Sequence, residues 1–303
     1  MYNGLFINSN QSAVIAETNL QNTNDQLGQS LNELSSGLQI TGAWVNPAGY
    51  EIAQGLNATG LGITQATANA NNGNSLINIA SGALSTIQGM LGTMQTLATN
   101  AANGTNSTEN LQALNSEFSQ LASEITQIAS STSFNGLNLL TGGSGSTIGV
   151  NDFTFQIGTN SDTTTSQISV SIQGVAANLL GLTSSSGAVV VVNSAISNVT
   201  LVGSTTNNTS ALVALSAVQA AINQVSGISG QLGSYQNRVT QIMANLQTEG
   251  TNTSAAYDNI MDVNFAQETS QYTLLSTLAQ SGEAMLSQAS TVNQGLLNLV
   301  RAI

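Results

Sequence analysis

The sequence predicts a mainly α protein: a long antiparallel helical rod, or coiled coil, drawn from both termini, with a small β-hairpin region at its tip. Three observations carry this. Five runs of apolar residues follow the 3–4 spacing of a helical seam. The stretch in which apolar and polar residues alternate sits in mid-chain. The 303 residues include 4% aromatics and a single proline, Pro47, a composition poorly suited to a compact globule.

The first terminal seam runs through Leu20, Leu27, Leu31, Leu34 and Leu38. The last is longer: Leu278, Gly282, Met285, Ala289, Val292, Leu296, Leu299 and Ile303 alternate steps of four and three, with Gly282 and Ala289 allowing close backbone approach. Three inner seams lie between them. Ile77, Ala80, Leu84, Ile87, Leu91, Met94 and Ala98 form one, and Leu111, Leu114, Phe118, Leu121, Ile125 and Ile128 a second. The third is Val218, Ile222, Val225, Leu232, Val239, Met243 and Leu246, interrupted by polar Ser229 and Gln236. Each seam is a stripe of two residues per heptad, narrower than the face of a helix buried in a globule, which favours rod-like packing. Asn106 to Glu109, just ahead of Leu111, is a helix-start signal.

Between about 140 and 207 the period changes. Ile148 and Val150, then Phe153, Phe155 and Ile157, then Ile168, Val170 and Ile172 predict short strands, with Gly142, Gly143, Gly145, Gly149 and Gly158 supplying turns. Ser184 to Asn208 is rich in Ser, Thr and Asn around the apolar run Val189 to Val192, and is expected to be an exposed tip.

Composition removes whole classes of function. Cysteine and histidine are absent, which takes away disulfides, thiolate nucleophiles, the usual zinc ligands and the commonest general base. Arg238 and Arg301 are the only basic side chains against 14 acidic ones, too few to neutralise a phosphate backbone, so no nucleic-acid partner is expected. Met1 to Asn10 has neither a positive n-region nor an apolar h-region, and no run of 18 apolar residues occurs. Neither membrane insertion nor an ordinary signal peptide is predicted. Asp258 and Asp262 stand four apart and could chelate a cation, but they lack further ligands nearby and read as an exposed polar face. No catalytic, cofactor or metal site is expected. The triplets at Asn103, Asn198 and Asn207 fit chance occurrence, and the Ser/Thr-rich tip could carry O-linked sugar.

Several segments resemble bacterial flagellins, in the family's order. Leu34-Ser35-Ser36-Gly37-Leu38-Gln39-Ile40 is similar to the segment closing the first terminal helix, and Pro47-Ala48-Gly49-Tyr50-Glu51-Ile52-Ala53 to its continuation. Ala101 to Ser107 resembles the helix-to-helix loop and Ser133 to Leu140 the start of the β-region. Leu232 to Arg238 and Gly295 to Arg301 resemble the C-terminal segments. The resemblance implies a non-enzymatic structural subunit that is exported, lies outside the cell and polymerises with copies of itself into a flagellar filament for swimming. It further implies an export apparatus and chaperone, and hook-junction and cap proteins, as partners.

On this reading residues 1–40 and 262–303 are filament-core helices. Residues 41–182 and 209–261 make a rod domain, and 183–208 an exposed variable tip. The terminal seams, Leu20 to Leu38 and Leu278 to Ile303, are the expected polymerisation surface. A hook–filament junction protein or a coiled-coil surface adhesin or coat protein is the alternative.

The departures are informative. Gln39, Trp44, Val45 and Asn46 stand where flagellins usually carry charged residues. Thr93, Gln95 and Thr96 replace an Arg-rich patch read by an innate immune receptor, which argues against recognition by that receptor. Near pH 2 to 3, with carboxylates protonated, each subunit would carry about three positive charges, from two arginines and the amino terminus, so an acidic habitat is a reading of the charge pattern. Absence of cysteine and the single proline also suit a chain exported unfolded.

Overall fold

The computed structural model describes residues 10–142, 150–176, 180–182 and 207–301, the last range without the side chains of 207–209 and 292–301. The described residues form five helices and two antiparallel two-stranded hairpins: α1 (Gln11–Ser36), α2 (Pro47–Ala101), α3 (Thr108–Ser131), β1 (Ser133–Phe134), β2 (Leu137–Asn138), β3 (Val150–Gln156), β4 (Gln167–Gln173), α4 (Asn207–Met261) and α5 (Phe265–Arg301). The mainly α class with a small β-region is as the sequence predicts. Ile148, Gly143, Gly145 and Gly149, the tip from Ser184 to Thr206, and Ile303 lie outside the described residues.

The chain packs as two units, one from residues 1–60 and 251–303, the other from Leu61–Gly250. In the second unit α2 and α4 run antiparallel. Amide side chains tie them in one register: Gln95 Nε2 donates to Gln219 Oε1 at 3.0 Å, Gln88 Nε2 to Ser226 Oγ at 3.3 Å, and Gln236 Nε2 to Asn78 Oδ1 at 3.1 Å. Each step down α2 is matched by an equal step up α4, as straight paired helices require. Beneath these bonds lies the predicted inner seam. Ile77, Ala80, Leu84, Ile87, Leu91, Met94 and Ala98 are all fully buried, and Val218, Val225, Leu232, Val239 and Leu246 are buried on α4.

Helix α3 starts where the sequence signals it. The Ser107 hydroxyl accepts the Asn110 N–H at 3.2 Å, and Glu109 lies in the first turn, where its own backbone N–H and the Ser107 hydroxyl hold its carboxyl below the usual range. Leu111, Phe118, Ala122, Ile125 and Ala129 give the helix its buried face. The β1–β2 hairpin turns at Asn135 and Gly136, both with positive φ (49° and 78°), the geometry that this dipeptide adopts most readily.

β3 pairs with β4 over seven residues, from Val150↔Gln173 to Gln156↔Gln167, and β4 turns Ile168, Val170 and Ile172 into the core. In the connecting turn, Asp162 accepts from the Thr164 N–H and from the hydroxyls of Thr164 and Thr165, which holds its carboxyl below the ordinary range. Within this unit the Phe155 ring lies 3.3 Å from where a Cβ on Gly73 of α2 would stand, and Asn69 donates to the Gln156 carbonyl at 2.9 Å. The hairpin is thereby pinned to α2.

Residues Ser210–Met261 of α4 are long and apolar enough, by length and composition only, to cross a membrane. Within the second unit, however, Val218, Val225, Leu232 and Val239 are spent on the protein core, as in any core helix.

Candidate self-association surface

The first unit is built on the pairing of α1 with α5. Asn10 starts α1 by accepting the Ala13 N–H at 3.1 Å, and its amide donates to the Ala289 carbonyl of α5 at 2.7 Å. Leu20 lies over Gly282, where a Cβ would approach Leu20 Cδ1 to 3.2 Å, and Gly37 lies beside the Phe265 ring. These contacts run in opposite directions along the two helices, so the pair is antiparallel. Among the residues that α1 turns inward, Ala13, Ala16, Leu20, Thr23, Leu27, Ser30 and Leu34 alternate steps of three and four, and Glu33 is buried beside them. On α5 the matching set is Tyr272, Leu275, Ala279, Gly282, Leu286 and Ala289.

This inner seam is thin. Small residues alternate with leucines, and most of the leucines remain only half-buried. Ser30 is buried, and its hydroxyl finds no hydrogen-bond partner. Among the described residues the first unit buries only Ile40, Ala53, Met261, Val263, Leu275 and Ala279 of its apolar side chains. It also exposes most of the large apolar side chains on the surface: Val14, Ile15 and Leu31 on α1, Trp44 and Ile52 near the start of α2, and Phe265, Leu274, Leu278 and Met285 on α5. Leu274, Leu278 and Met285 fall on one side of α5, and Met285 is 63% exposed. A helix pair with a weak inner seam and large apolar residues outside is incomplete as an isolated body.

The far end of the pair is closed by backbone. Gly37, at φ 75°, caps α1 by donating to the Glu33 carbonyl at 2.9 Å. Gln39 then donates to the Met261 carbonyl at 2.6 Å, and Val263 to that of Gly37 at 2.9 Å, so the segment leaving α1 pairs with the break between α4 and α5. Asn264 restarts the helix by accepting from the N–H groups of Ala266 and Gln267. Ile40, Ala53 and Met261 form a small buried cluster beside this junction, with Leu38, Tyr50 and Tyr257 packed against it.

The structure divides the residues of the expected terminal seams. Leu20, Leu27 and Leu34 face α5. Leu31 is 49% exposed, because Ser30 takes the inward place one residue earlier. Leu38 lies beyond the end of α1, in the bridge to Asp262. On α5, Gly282 and Ala289 face α1, whereas Leu278 and Met285 point outward and their neighbours Ala279 and Leu286 take the inner positions. Val292, Leu296 and Leu299 lie on α5 with their side chains outside the described set. Ala13, Ala16 and Thr23 continue the inner stripe with small side chains, which a pattern of large apolar residues does not mark.

Little else suggests chemistry. Among the described residues no group of three or more acidic side chains could hold a metal. Asp262 closes the last turn of α4 by donating its N–H to the Asp258 carbonyl at 2.8 Å and also forms the bridge to Leu38, so the two carboxylates stand one turn apart with no third acidic group among the described residues beside them. A recess of about 310 Å³ in the second unit, beside the β3–β4 turn, has Glu249 as its sole titratable lining residue, which leaves no partner for paired acid–base work.

Residues 7–144 match the bacterial flagellin N-terminal helical region, and residues 215–300 the bacterial flagellin C-terminal helical region. The chain is 33% identical to flagellin FlaB1 of Treponema pallidum, over 98% of this chain and 100% of that protein. It is 34% identical to a flagellin of Bacillus subtilis, over 97% and 99%. A putative flagellar hook-associated protein from Vibrio parahaemolyticus has the same fold, with a TM-score of 0.56 over 72% of this chain and 100% of that one, but at 13% identity the likeness extends to the fold alone. Matched at both helical ends and over nearly its full length, the chain belongs to the bacterial flagellin family and is a structural subunit of the flagellar filament, which serves motility.

Proposed function

We propose that subunits join through the outward faces of the terminal helices. The observation that carries this reading is the distribution of apolar side chains: the first unit buries few and exposes many, and Leu31, Leu274, Leu278 and Met285 lie outside the α1–α5 seam. In a filament these faces meet neighbouring copies, and the terminal seam continues through Val292, Leu296, Leu299 and Ile303. Such contacts are heterologous and do not close, so they propagate as a helix rather than ending in a ring. The thin inner seam makes the free subunit's ends marginal, and helix formation there is coupled to assembly.

On this reading residues 1–40 and 262–303 make the filament core, 41–182 and 209–261 the rod domain, and 183–208 the surface. The subunit has no catalytic activity. It is secreted by an export apparatus with a chaperone, and meets hook-junction and cap proteins at the filament ends. The neutral Thr93, Gln95 and Thr96 on α2, with Gln95 bonded to Gln219, offer no cationic patch to an innate immune receptor.

The test compares the full chain with one lacking residues 1–38 and 265–303 by electron microscopy after seeding with filament fragments. Long filaments from the full chain alone support the reading. Filaments from both forms would overturn it, and short caps from the full chain would favour a junction protein.

A further inference from the structure

We infer that Trp44 is an aromatic anchor between subunits, its indole inserting into an apolar site on a second copy of this chain; the inference rests on the filament reading above. Trp44 is the only tryptophan among 303 residues, in a chain with 4% aromatics, and it is 73% exposed. An indole can bury on the order of 150–250 Å² of surface, so leaving it in water forgoes one of the largest apolar contacts a side chain can make.

The indole also stands on a fixed corner. After α1, Val45 donates to the Gly42 carbonyl at 3.1 Å, closing a turn across the tryptophan. The ring lies over Gly42 so closely that a Cβ there would stand 2.8 Å from Nε1, and glycine is what leaves it room. Asn46 follows, and its Oδ1 accepts the Gly49 N–H at 3.0 Å in the first turn of α2, which opens with Pro47. Ile40, on the near side of the corner, is buried against Ala53 and Met261. The backbone on both sides of the indole is therefore held, and a pre-organised aromatic loses little freedom on binding, the property of an interface hot spot.

The occupant is a second copy for two reasons. The protein works as a filament of its own copies, and Trp44 belongs to the unit that carries most of the exposed large apolar residues. Its neighbours in sequence, Gln39 to Asn46, are uncharged, so no desolvation of charge opposes burial of this corner.

Because the chain has one tryptophan, its emission reports the contact directly. Full-length protein is measured as monomer and after seeded polymerisation, with polymer separated by sedimentation. The expected result is a blue-shifted emission and reduced acrylamide quenching in the pellet. In addition, Trp44→Ser should raise the critical concentration about tenfold or more with unchanged helical circular dichroism, and Trp44→Phe should restore part of it. Pelleted polymer whose indole is quenched as freely as in the monomer overturns the inference and leaves the filament reading intact; the indole would then face solvent or a soluble ligand. Trp44→Ser polymerising at the wild-type concentration also overturns it. A full chain that never pellets would remove the filament reading, and this inference with it.

Discussion

Leu20 lies over Gly282, and the fit depends on the missing Cβ: an added methyl would stand 3.2 Å from Leu20 Cδ1, tighter than ordinary contact. Gly282→Val should force the two helices apart and cost about 1–3 kcal/mol in the α1–α5 pair, seen as a lowered midpoint in thermal melts of the assembled filament. At this scale the sequence was legible wherever size and polarity agreed. Leu20, Leu27 and Leu34, spaced seven apart, share one side of α1 and are half-buried there. Leu31 is exposed because the helical phase set by Ala16, Thr23 and Ser30 turns it outward. The turn at Asn135-Gly136 has its signal in the dipeptide itself. The amide bonds between Gln95 and Gln219, or Gln88 and Ser226, could not be read, since glutamines on opposite helices reveal a partner only once the register is known.

Among the elements, α3 shows local sequence and tertiary packing in agreement. Its cap, Ser107, and its buried stripe from Leu111 to Ala129 were both readable, because a cap motif and a strong 3–4 stripe mark a helix independently of its partners. Ser107→Ala should cost about 1 kcal/mol by leaving the Asn110 N–H without its acceptor, measured as a lowered midpoint in chemical denaturation. The inner seams of α2 and α4 were readable for the same reason, being dominated by Ile, Leu, Val and Met. Helices α1 and α5 were harder. Each carries two apolar stripes about one residue out of phase, one toward its partner within the subunit and one outward, and a single seam drawn through the sequence mixes the two.

For the whole molecule, the balance of charge is the property most open to test. With Arg238 and Arg301 as its only basic side chains, the subunit carries a formal charge of −12 at neutral pH and about three positive charges once its carboxylates are protonated. Acid removes the charge of carboxylates as a class. Asp162 and Glu109, held below the ordinary range by hydrogen bonds, keep theirs longer. What those bonds contribute is present above the unfolded pKa and fades as pH falls through the lowered folded value. Acid therefore removes these few bonds while building up only about three positive charges per subunit. Filaments should persist at pH 3 as they do at pH 7 in a sedimentation assay, and dissociation at pH 3 would contradict this reading of the composition.

The most direct measurement of the central claim is the critical concentration of Leu278→Ser/Met285→Ser in the full chain. Both side chains lie outside the α1–α5 seam, so the subunit should keep its fold, with helical circular dichroism and melting unchanged. The critical concentration should rise about tenfold or more, reflecting the loss of roughly 1.5–3 kcal/mol of burial for each large apolar side chain in the filament. Polymerisation of the variant at the wild-type concentration would show that these outward faces are not where subunits meet.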